Sequence, residues 1–139
     1  AMVLRDFHAD NLFWLPDRLK EKQVGIIDFQ DALVGNIAYD LSSLLQDVRR
    51  NISNKTRKIA LEYFIEKSGI TDKKKFIRHY RILTAQRNAK IAGIFVRLAK
   101  RDGKTSYLSM VDKAVRLFKD AAKEAELLEI LSWLKSHSV

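Results

Sequence analysis

The sequence contains no cysteine, one proline and five glycines among its 139 residues. Without cysteine, disulfide bonds, thiolate metal ligands and a cysteine nucleophile are excluded. No apolar run approaches the roughly 20 residues that a membrane-spanning helix needs. The first residues also lack the basic and apolar regions of a signal peptide. We therefore expect a soluble cytoplasmic protein that has no membrane partner.

The net charge of +9 is the sum of two segments of opposite sign. Residues 1–48, the acidic segment, contain four Lys or Arg and eight Asp or Glu, a net charge of −4. Residues 49–139, the basic segment, contain 22 Lys or Arg and nine Asp or Glu, a net charge of +13. A strongly basic domain raises the question of nucleic-acid binding. We do not expect it, because the basic residues are interspersed with acidic ones and no nucleic-acid motif occurs.

The composition predicts one compact domain over residues 1–139. With 47% hydrophobic and 31% charged residues, a chain of this length can bury a core. Residues 1–38 are predicted to form loops and strands, and residues 39–139 a helical subdomain. The predicted fold is therefore mainly α with a small β-hairpin.

Two short apolar runs predict the hairpin. Residues 12–15 end at the turn signal Pro16-Asp17, and residues 24–27 are β-branched and apolar up to Asp28. Strands this apolar are expected to be covered on both faces. Residues 29–37 contain Gly and Asn and are predicted to form a loop.

Helical periodicity dominates from residue 38 onward. Ser53 is a predicted N-cap, Gly69 a predicted helix end, and Thr71 or Asp72 a predicted cap for a long third helix that closes near Gly103. The predicted helices cover residues 39–50, 53–68, 72–101, 106–121 and 125–136.

Polar residues beside the predicted strand ends suggest chemistry. Asp6 and Asn11 lie just before the first hairpin strand, and Asp28 follows the second. Carboxylate and amide oxygens suit a hard cation such as Mg²⁺, and another carboxylate could orient or deprotonate a hydroxyl. These are the groups that phosphoryl transfer requires. The same residue types also occur as ordinary turn and cap residues, so both interpretations remain open.

Four segments resemble a known superfamily. VLRDFHADNL (residues 3–12) is similar to the catalytic loop of protein-kinase-like enzymes, H-R-D-x-x-x-x-N, and to the H-G-D-x-x-x-x-N of the aminoglycoside phosphotransferase family. VGIIDFQDA (residues 24–32) resembles the metal-binding strand end of that family, and YDLSSLL (residues 39–45) the helix after it. Together with AQRNAKIAGIFVRLAKRDGK (residues 85–104), they resemble bacterial anomeric kinases of N-acetylmuramate and N-acetylglucosamine, which act in cell-wall recycling.

The resemblance implies a role for each matching residue. Asp6 would accept the proton of the substrate hydroxyl or orient it. Asn11 and Asp28 would bind Mg²⁺ that bridges the phosphates of ATP, so Mg²⁺ and ATP are the implied cofactors. His8 would contact a phosphate, and Asp40 would brace the catalytic loop.

Three side chains carry two interpretations each. Arg87 interrupts the apolar face of the long helix, and we favour a structural ion pair with the acidic segment over binding of a substrate carboxylate. Asp31 is either a contact to a substrate hydroxyl or a loop anchor. For His8, the alternative to the phosphate contact is a hydrogen bond within the loop.

Two departures from the family pattern limit the expected activity. Leu4 stands where the motif usually has a His with a structural role. More importantly, only five residues precede Asp6, and no G-x-G-x-x-G motif occurs in the sequence. The chain therefore resembles the C-terminal, catalytic lobe of a protein-kinase-like fold with the N-terminal lobe missing.

This resemblance gives the functional expectation. The chain is predicted to be part of an ATP- and Mg²⁺-dependent kinase acting on the hydroxyl of an amino sugar, with little or no activity alone because the N-terminal lobe supplies a required Lys–Glu pair. A separately encoded N-terminal lobe is one predicted partner, and a homo-oligomer formed through the uncovered surface is another. The alternative is a non-catalytic remnant, or a basic helical module that binds another molecule.

Overall fold

The computed structural model describes residues 1–137 and is mainly helical. Short strands occur only in the first 34 of these residues, and α-helices follow them. This architecture is consistent with the helical lobe of a kinase-like fold. In chain order the elements are β1 (Met2–Val3), β2 (Leu12–Trp14), β3 (Val24–Ile26), β4 (Leu33–Val34), α1 (Ala38–Leu45), α2 (Asn54–Lys67), α3 (Lys73–Asp102), α4 (Val111–Glu124) and α5 (Leu128–Ser136).

The predicted hairpin is confirmed. Strands β2 and β3 pair antiparallel, with Leu12 opposite Ile26 and Trp14 opposite Val24. The connecting segment folds back through a short 3-10 turn at Lys20–Gln23. The turn signal and the two apolar runs are local features, and they are enough to predict that the hairpin forms.

The expectation that both hairpin faces are covered is wrong for the described part of the chain. Phe13, Trp14 and Val24 expose 51%, 66% and 43% of their surfaces. None of the core clusters among residues 1–137 includes a side chain of the hairpin strands. The helices bury their apolar faces against one another and leave this apolar surface open.

A second small sheet lies where a loop is predicted. Strand β4 pairs antiparallel with β1, so that Met2 is opposite Val34 and Val3 is opposite Leu33. Residues 29–37 are therefore not entirely loop. The two strands are two residues long and about 30 residues apart in sequence, so neither has a recognisable periodicity.

The caps of the two long helices agree with the sequence prediction. The hydroxyl oxygen of Ser53 accepts a hydrogen bond from the Thr56 N–H at 3.0 Å and begins α2. The carboxylate of Asp72 accepts one from the Lys75 N–H at 2.9 Å and begins α3. Helix α3 ends at Gly103, whose φ of 67° is a left-handed conformation that glycine adopts without steric cost.

Two helix boundaries differ from the prediction by five residues. Helix α1 ends at Leu45 rather than residue 50, because the Asp47 side chain accepts a hydrogen bond from the Arg49 N–H at 3.0 Å and forms a local turn. Helix α4 begins at Val111 rather than residue 106, after a 3-10 turn over Thr105–Met110. In both regions, side-chain and turn geometry compete with an apolar pattern that continues along the chain.

Helix α3 is the centre of the core. Its first half packs on α1 and α2 through Phe76 and Tyr80, and its second half packs on α4 through Phe95. At 30 residues it extends about 45 Å, so one helix contacts each cluster of buried side chains. No helix within residues 1–137 is both long and apolar enough to cross a membrane.

Candidate active site

The loop between β1 and β2 is tied to α1 by one carboxylate. Asp40 accepts hydrogen bonds from the backbone N–H of Leu4 at 2.7 Å and from that of Arg5 at 3.0 Å. Arg5 has a φ of 71°, a left-handed conformation that costs energy for a residue with a side chain. The Asp40 contacts thus stabilise a strained turn immediately before Asp6.

Asn11 brings the predicted catalytic and metal-binding residues together. Its amide nitrogen donates to the backbone carbonyl of Asp6 at 2.9 Å and to the Asp28 carboxylate at 3.3 Å. The same nitrogen lies 3.4 Å from Nε2 of His8. Residues that are 17 positions apart in sequence therefore meet at one end of the hairpin.

Asp28 follows β3 and has a left-handed backbone conformation. Its φ is 60°, and its carboxylate accepts a second hydrogen bond from the Gln30 amide at 2.6 Å. The residue is exposed, so its oxygens remain accessible to a ligand from solvent. Gln30 was not singled out from the sequence, because a Gln two residues after Asp28 carries no specific signal.

The donor set fits a magnesium ion. Asn11 offers an amide oxygen and Asp28 a carboxylate, which are the oxygen ligands that hard cations prefer. Protein sites for Mg²⁺ usually contribute only one or two carboxylates, while water and phosphate oxygens complete the octahedron. Within residues 1–137, no three His, Cys, Asp or Glu side chains are grouped so that they alone could hold a metal. These residues therefore fit a metal that arrives with phosphate groups better than a closed protein cage.

An ion pair anchors the other end of the loop. Arg50, after α1, donates to the Asp10 carboxylate at 2.6 Å, and Arg49 lies 4.0 Å from the same carboxylate. The hydrogen bond from Arg50 holds the pKa of the Asp10 carboxyl below its ordinary value. Because both partners are well exposed, this pair orients the loop more than it stabilises the fold.

A cavity of about 200 Å³ lies beside Asp6. It is bounded by the loop on one side and by α3 on the other. Basic groups dominate its polar lining, and apolar side chains of α3 form its wall. The lining residues are Arg5, Asp6, His8, Tyr39, Arg49, Arg87, Lys90, Ile91, Ile94 and Phe95.

The predicted ion pair of Arg87 with the acidic segment is not formed. Arg87 is 5% exposed, and its Nη1 is buried without a hydrogen-bond partner among the described residues. Burial lowers the pKa of its guanidinium, and the nearby Tyr39 and Asp47 side chains oppose this shift. The nearby Asp47 carboxylate is not within ion-pair distance of Arg87, and only its Oδ1 is contacted by Arg49, at 3.4 Å.

The two remaining candidates lie differently. His8 lines the cavity, with Nε2 next to Asn11 and with its buried Nδ1 lacking a partner in the described chain. Asp31 is exposed in the segment between β3 and β4 and is not among the residues that line the cavity. The structure therefore groups His8, but not Asp31, with Asp6.

Comparison with known proteins gives the family. A model of the phosphotransferase enzyme family, APH, matches residues 2–75, more than half of the chain. The chain belongs to this phosphotransferase family. The matched residues include the loop around Asp6, the hairpin and helix α1, which together form the site described above.

Curated relatives extend the similarity beyond that range. An N-acetylmuramate/N-acetylglucosamine kinase of Caulobacter vibrioides is 36% identical over 93% of this chain and 36% of its own length. Kinases of the same name from Pseudomonas aeruginosa and Neisseria meningitidis are 34% and 33% identical over 98% and 95% of the chain. The chain spans about two fifths of the length of these curated relatives.

Some cavity residues of this phosphotransferase family member were missed from the sequence. Arg5, Arg49 and Lys90 line the cavity beside Asp6, although none was a candidate. Lys90 carries a usable signal, because a residue three positions after Arg87 lies on the same side of a helix. The sequence gives no such signal for Arg5 and Arg49, because their position at the cavity depends on how the loop and the turn after α1 pack.

Proposed function

We propose that the chain is the catalytic lobe of an ATP- and Mg²⁺-dependent kinase that phosphorylates a hydroxyl of an amino sugar. Family membership supports the reaction class, and the names of the curated relatives suggest the substrate. The observation that carries the proposal is the contact of the Asn11 amide with the Asp28 carboxylate, 17 positions away, beside the backbone carbonyl of Asp6 and the ring of His8. Turn residues with only local roles have no need to meet in this way.

Each residue then has a chemical task. When bound, Mg·ATP supplies the phosphoryl group and the cation that neutralises phosphate charge. Asn11 and Asp28 hold that cation. The hydroxyl oxygen of the sugar bonds to the terminal phosphorus as the bond to ADP breaks, and Asp6 accepts the hydroxyl proton.

Two further residues have supporting roles in this proposal. His8, beside Asn11 in the cavity, donates a hydrogen bond to a phosphate oxygen. Asp31 accepts a hydrogen bond from a substrate hydroxyl; it lies outside the cavity lining, so this contact depends on a substrate that extends past the loop.

We propose that transfer also requires a second lobe. The curated relatives are more than twice as long as this chain, and the exposed apolar hairpin offers a surface on which another lobe can pack. Nucleotide binding in protein kinases depends on a Gly-rich loop and a Lys–Glu pair outside the catalytic loop. The 139 residues alone should therefore have little or no kinase activity.

A chimera tests this function. The chain would replace the matching segment of the Caulobacter vibrioides relative, and phosphate transfer to N-acetylmuramate and N-acetylglucosamine would be assayed with Mg·ATP. We expect the chimera to be active and the isolated chain to be inactive. A folded but inactive chimera would contradict the assignment of this chain as a sugar-kinase lobe. Strong activity of the chain alone would contradict the need for a second lobe.

The exposed apolar hairpin also predicts self-association of the isolated chain. Phe13, Trp14 and Val24 in the hairpin, and Ile27 and Phe29 just after it, are each at least 43% exposed, and an apolar patch of this kind favours contact with another surface. Light scattering on the 139-residue chain should show a dimer or larger species, and Trp14→Ser should shift it towards the monomer. Leu128→Ser, at an exposed position on α5, is the matched control and should not. A monomer at high concentration would contradict this prediction.

A further inference from the structure

Arg87 is a buried cation with an unused hydrogen-bond donor. It lies in the middle of α3 with 5% of its surface exposed, and its Nη1 has no partner among residues 1–137. A guanidinium removed from water is normally compensated by a carboxylate or another anion, because desolvation of an unpaired charge is costly. The described residues do not supply that anion within ion-pair distance. A ligand can.

Asp47 is the competing partner within the chain. It is 1% exposed, and its Oδ2 also has no hydrogen-bond partner within residues 1–137. Burial lowers the pKa of the Arg87 guanidinium, and the charge of Asp47 offsets part of this shift. However, no ion pair joins Asp47 to Arg87 in the described chain, Arg49 contacts the Oδ1 of Asp47 at 3.4 Å, and Arg87 lines the cavity while Asp47 does not.

The rest of the cavity reinforces a preference for negative charge. Arg5, Arg49 and Lys90 line it together with Arg87, and Asp6 is the only acidic residue among the described lining residues. Clefts lined mainly by charges of one sign concentrate ligands of the opposite sign. An anionic group in this cavity would therefore lie beside the residue that we propose as the proton acceptor.

A second cavity gives room for the rest of such a ligand. It measures about 350 Å³ and shares Arg5, Tyr39 and Lys90 with the first. Its other wall is partly apolar, formed by Val3, Leu33 and Leu83. The two adjoining cavities are comparable to small-molecule sites of about 300–1,000 Å³. They fit a ligand with an anionic end and a ring that carries an apolar substituent.

We propose that Arg87 binds the carboxylate of an acidic amino sugar and makes this site prefer that sugar over its neutral counterpart. The proposal rests on the proposed function, because it assigns the substrate's charge at the same site. Two parallel N–H···O bonds from a guanidinium match a carboxylate in geometry and are stronger than neutral hydrogen bonds. N-acetylmuramate carries such a carboxylate on its lactyl ether, whereas N-acetylglucosamine does not.

Titration of the isotopically labelled chain by NMR tests this preference without a transfer step. N-acetylmuramate, N-acetylglucosamine and inorganic phosphate are added separately, and the Kd of each is measured. N-acetylmuramate should bind about tenfold or more tightly than N-acetylglucosamine, the effect expected of a charge-assisted pair. Arg87→Gln should remove most of this preference, while binding of N-acetylglucosamine changes little.

Control variants separate binding from folding. Arg97→Gln removes an exposed arginine on the same helix, outside the cavity lining, and should keep the full ratio. If Arg87→Gln does not fold, Arg87→Lys and Lys90→Gln replace it. Arg87→Lys keeps the positive charge but loses the two parallel N–H donors of the guanidinium. Lys90→Gln removes a positive charge at an exposed residue of the cavity rim. Both should lower the ratio partially.

Each outcome has one meaning. An unchanged ratio in folded Arg87→Gln would overturn the proposal and leave Arg87 as a structural counter-charge for Asp47. Phosphate that binds as tightly as N-acetylmuramate and is lost in Arg87→Gln would assign the site to a phosphate group instead, which also overturns it. If both sugars bind equally to the unsubstituted chain, the carboxylate preference fails while the sugar-kinase function stands. That function fails separately if the chimera phosphorylates neither sugar.

Discussion

Asp6→Ala in the chimera should lower the rate of phosphate transfer by about 10²- to 10⁴-fold, the usual contribution of a positioned general base. Asp6 lies beside the cavity and next to the Asn11 and Asp28 pair that we assign to the metal. Its loss removes the group that orients the hydroxyl and takes its proton. The KM for ATP should change little, because Asn11 and Asp28 remain. Steady-state kinetics with both sugars measures the two effects.

The same substitution should leave the fold intact. The Asp6 side chain is exposed, and it is the backbone carbonyl of Asp6 that accepts the hydrogen bond from Asn11. Alanine keeps that carbonyl. Asp17→Ala, in the exposed turn of the hairpin, is the matched control and should retain the rate. A chimera with Asp6→Ala that transfers phosphate at the unsubstituted rate would show that Asp6 has been given the wrong role.

Asp40→Ala should lower the free energy of unfolding of the chain by about 3 kcal/mol. The part-buried carboxylate accepts two backbone hydrogen bonds, from Leu4 and Arg5. Removing it leaves both N–H groups without their acceptor and releases the strained turn at Arg5. Urea unfolding at pH 7 measures the change.

A graded series sharpens this second prediction. Asp40→Asn keeps one oxygen acceptor and removes the charge, so its loss of stability should be smaller than that of Asp40→Ala. Asp17→Ala should change the free energy of unfolding by less than about 0.5 kcal/mol, as expected at an exposed site without such contacts. Equal stability of Asp40→Ala and the unsubstituted chain would mean that the loop does not depend on this carboxylate.

The parts of the fold that follow from local rules could be predicted from the sequence. The hairpin follows from two apolar runs and the Pro16-Asp17 turn, and the starts of α2 and α3 follow from Ser53 and Asp72. Each of these signals acts over a few residues. The physical cause is therefore contained in the segment that shows it.

Features that depend on distant contacts could not be predicted. Strands β1 and β4 pair although each is only two residues long, too short to show a periodic pattern, and they lie far apart in the sequence. The partner of Arg87 was expected in the acidic segment, because burial of a charge implies a partner but does not identify it. The carboxylates that Arg87 could reach depend on how the turn after α1 folds, and in that turn Arg49 contacts Asp47.

The candidate site could be predicted only in part from the sequence. The spacing of Asp6 and Asn11 indicates a shared loop, but the sequence alone does not bring Asp28 to them. The resemblance to the family supplied that contact as an expectation, and Asn11 makes it through one amide nitrogen. Neither the sequence nor the family resemblance predicted that the adjoining cavity is basic, because Arg5, Arg49 and Lys90 come together only in the folded chain.

The long helix α3 has a consequence for how such a site can change during evolution. Arg87 is buried among the core residues of this helix, whereas Lys90, one turn further, is exposed at the cavity rim. A substitution at position 87 therefore alters both the cavity and the core, and its viability depends on compensating changes elsewhere. A substitution at position 90 alters the charge of the cavity at little cost to folding. Gradual drift in substrate charge should accordingly begin at position 90, with position 87 held by the scaffold that surrounds it.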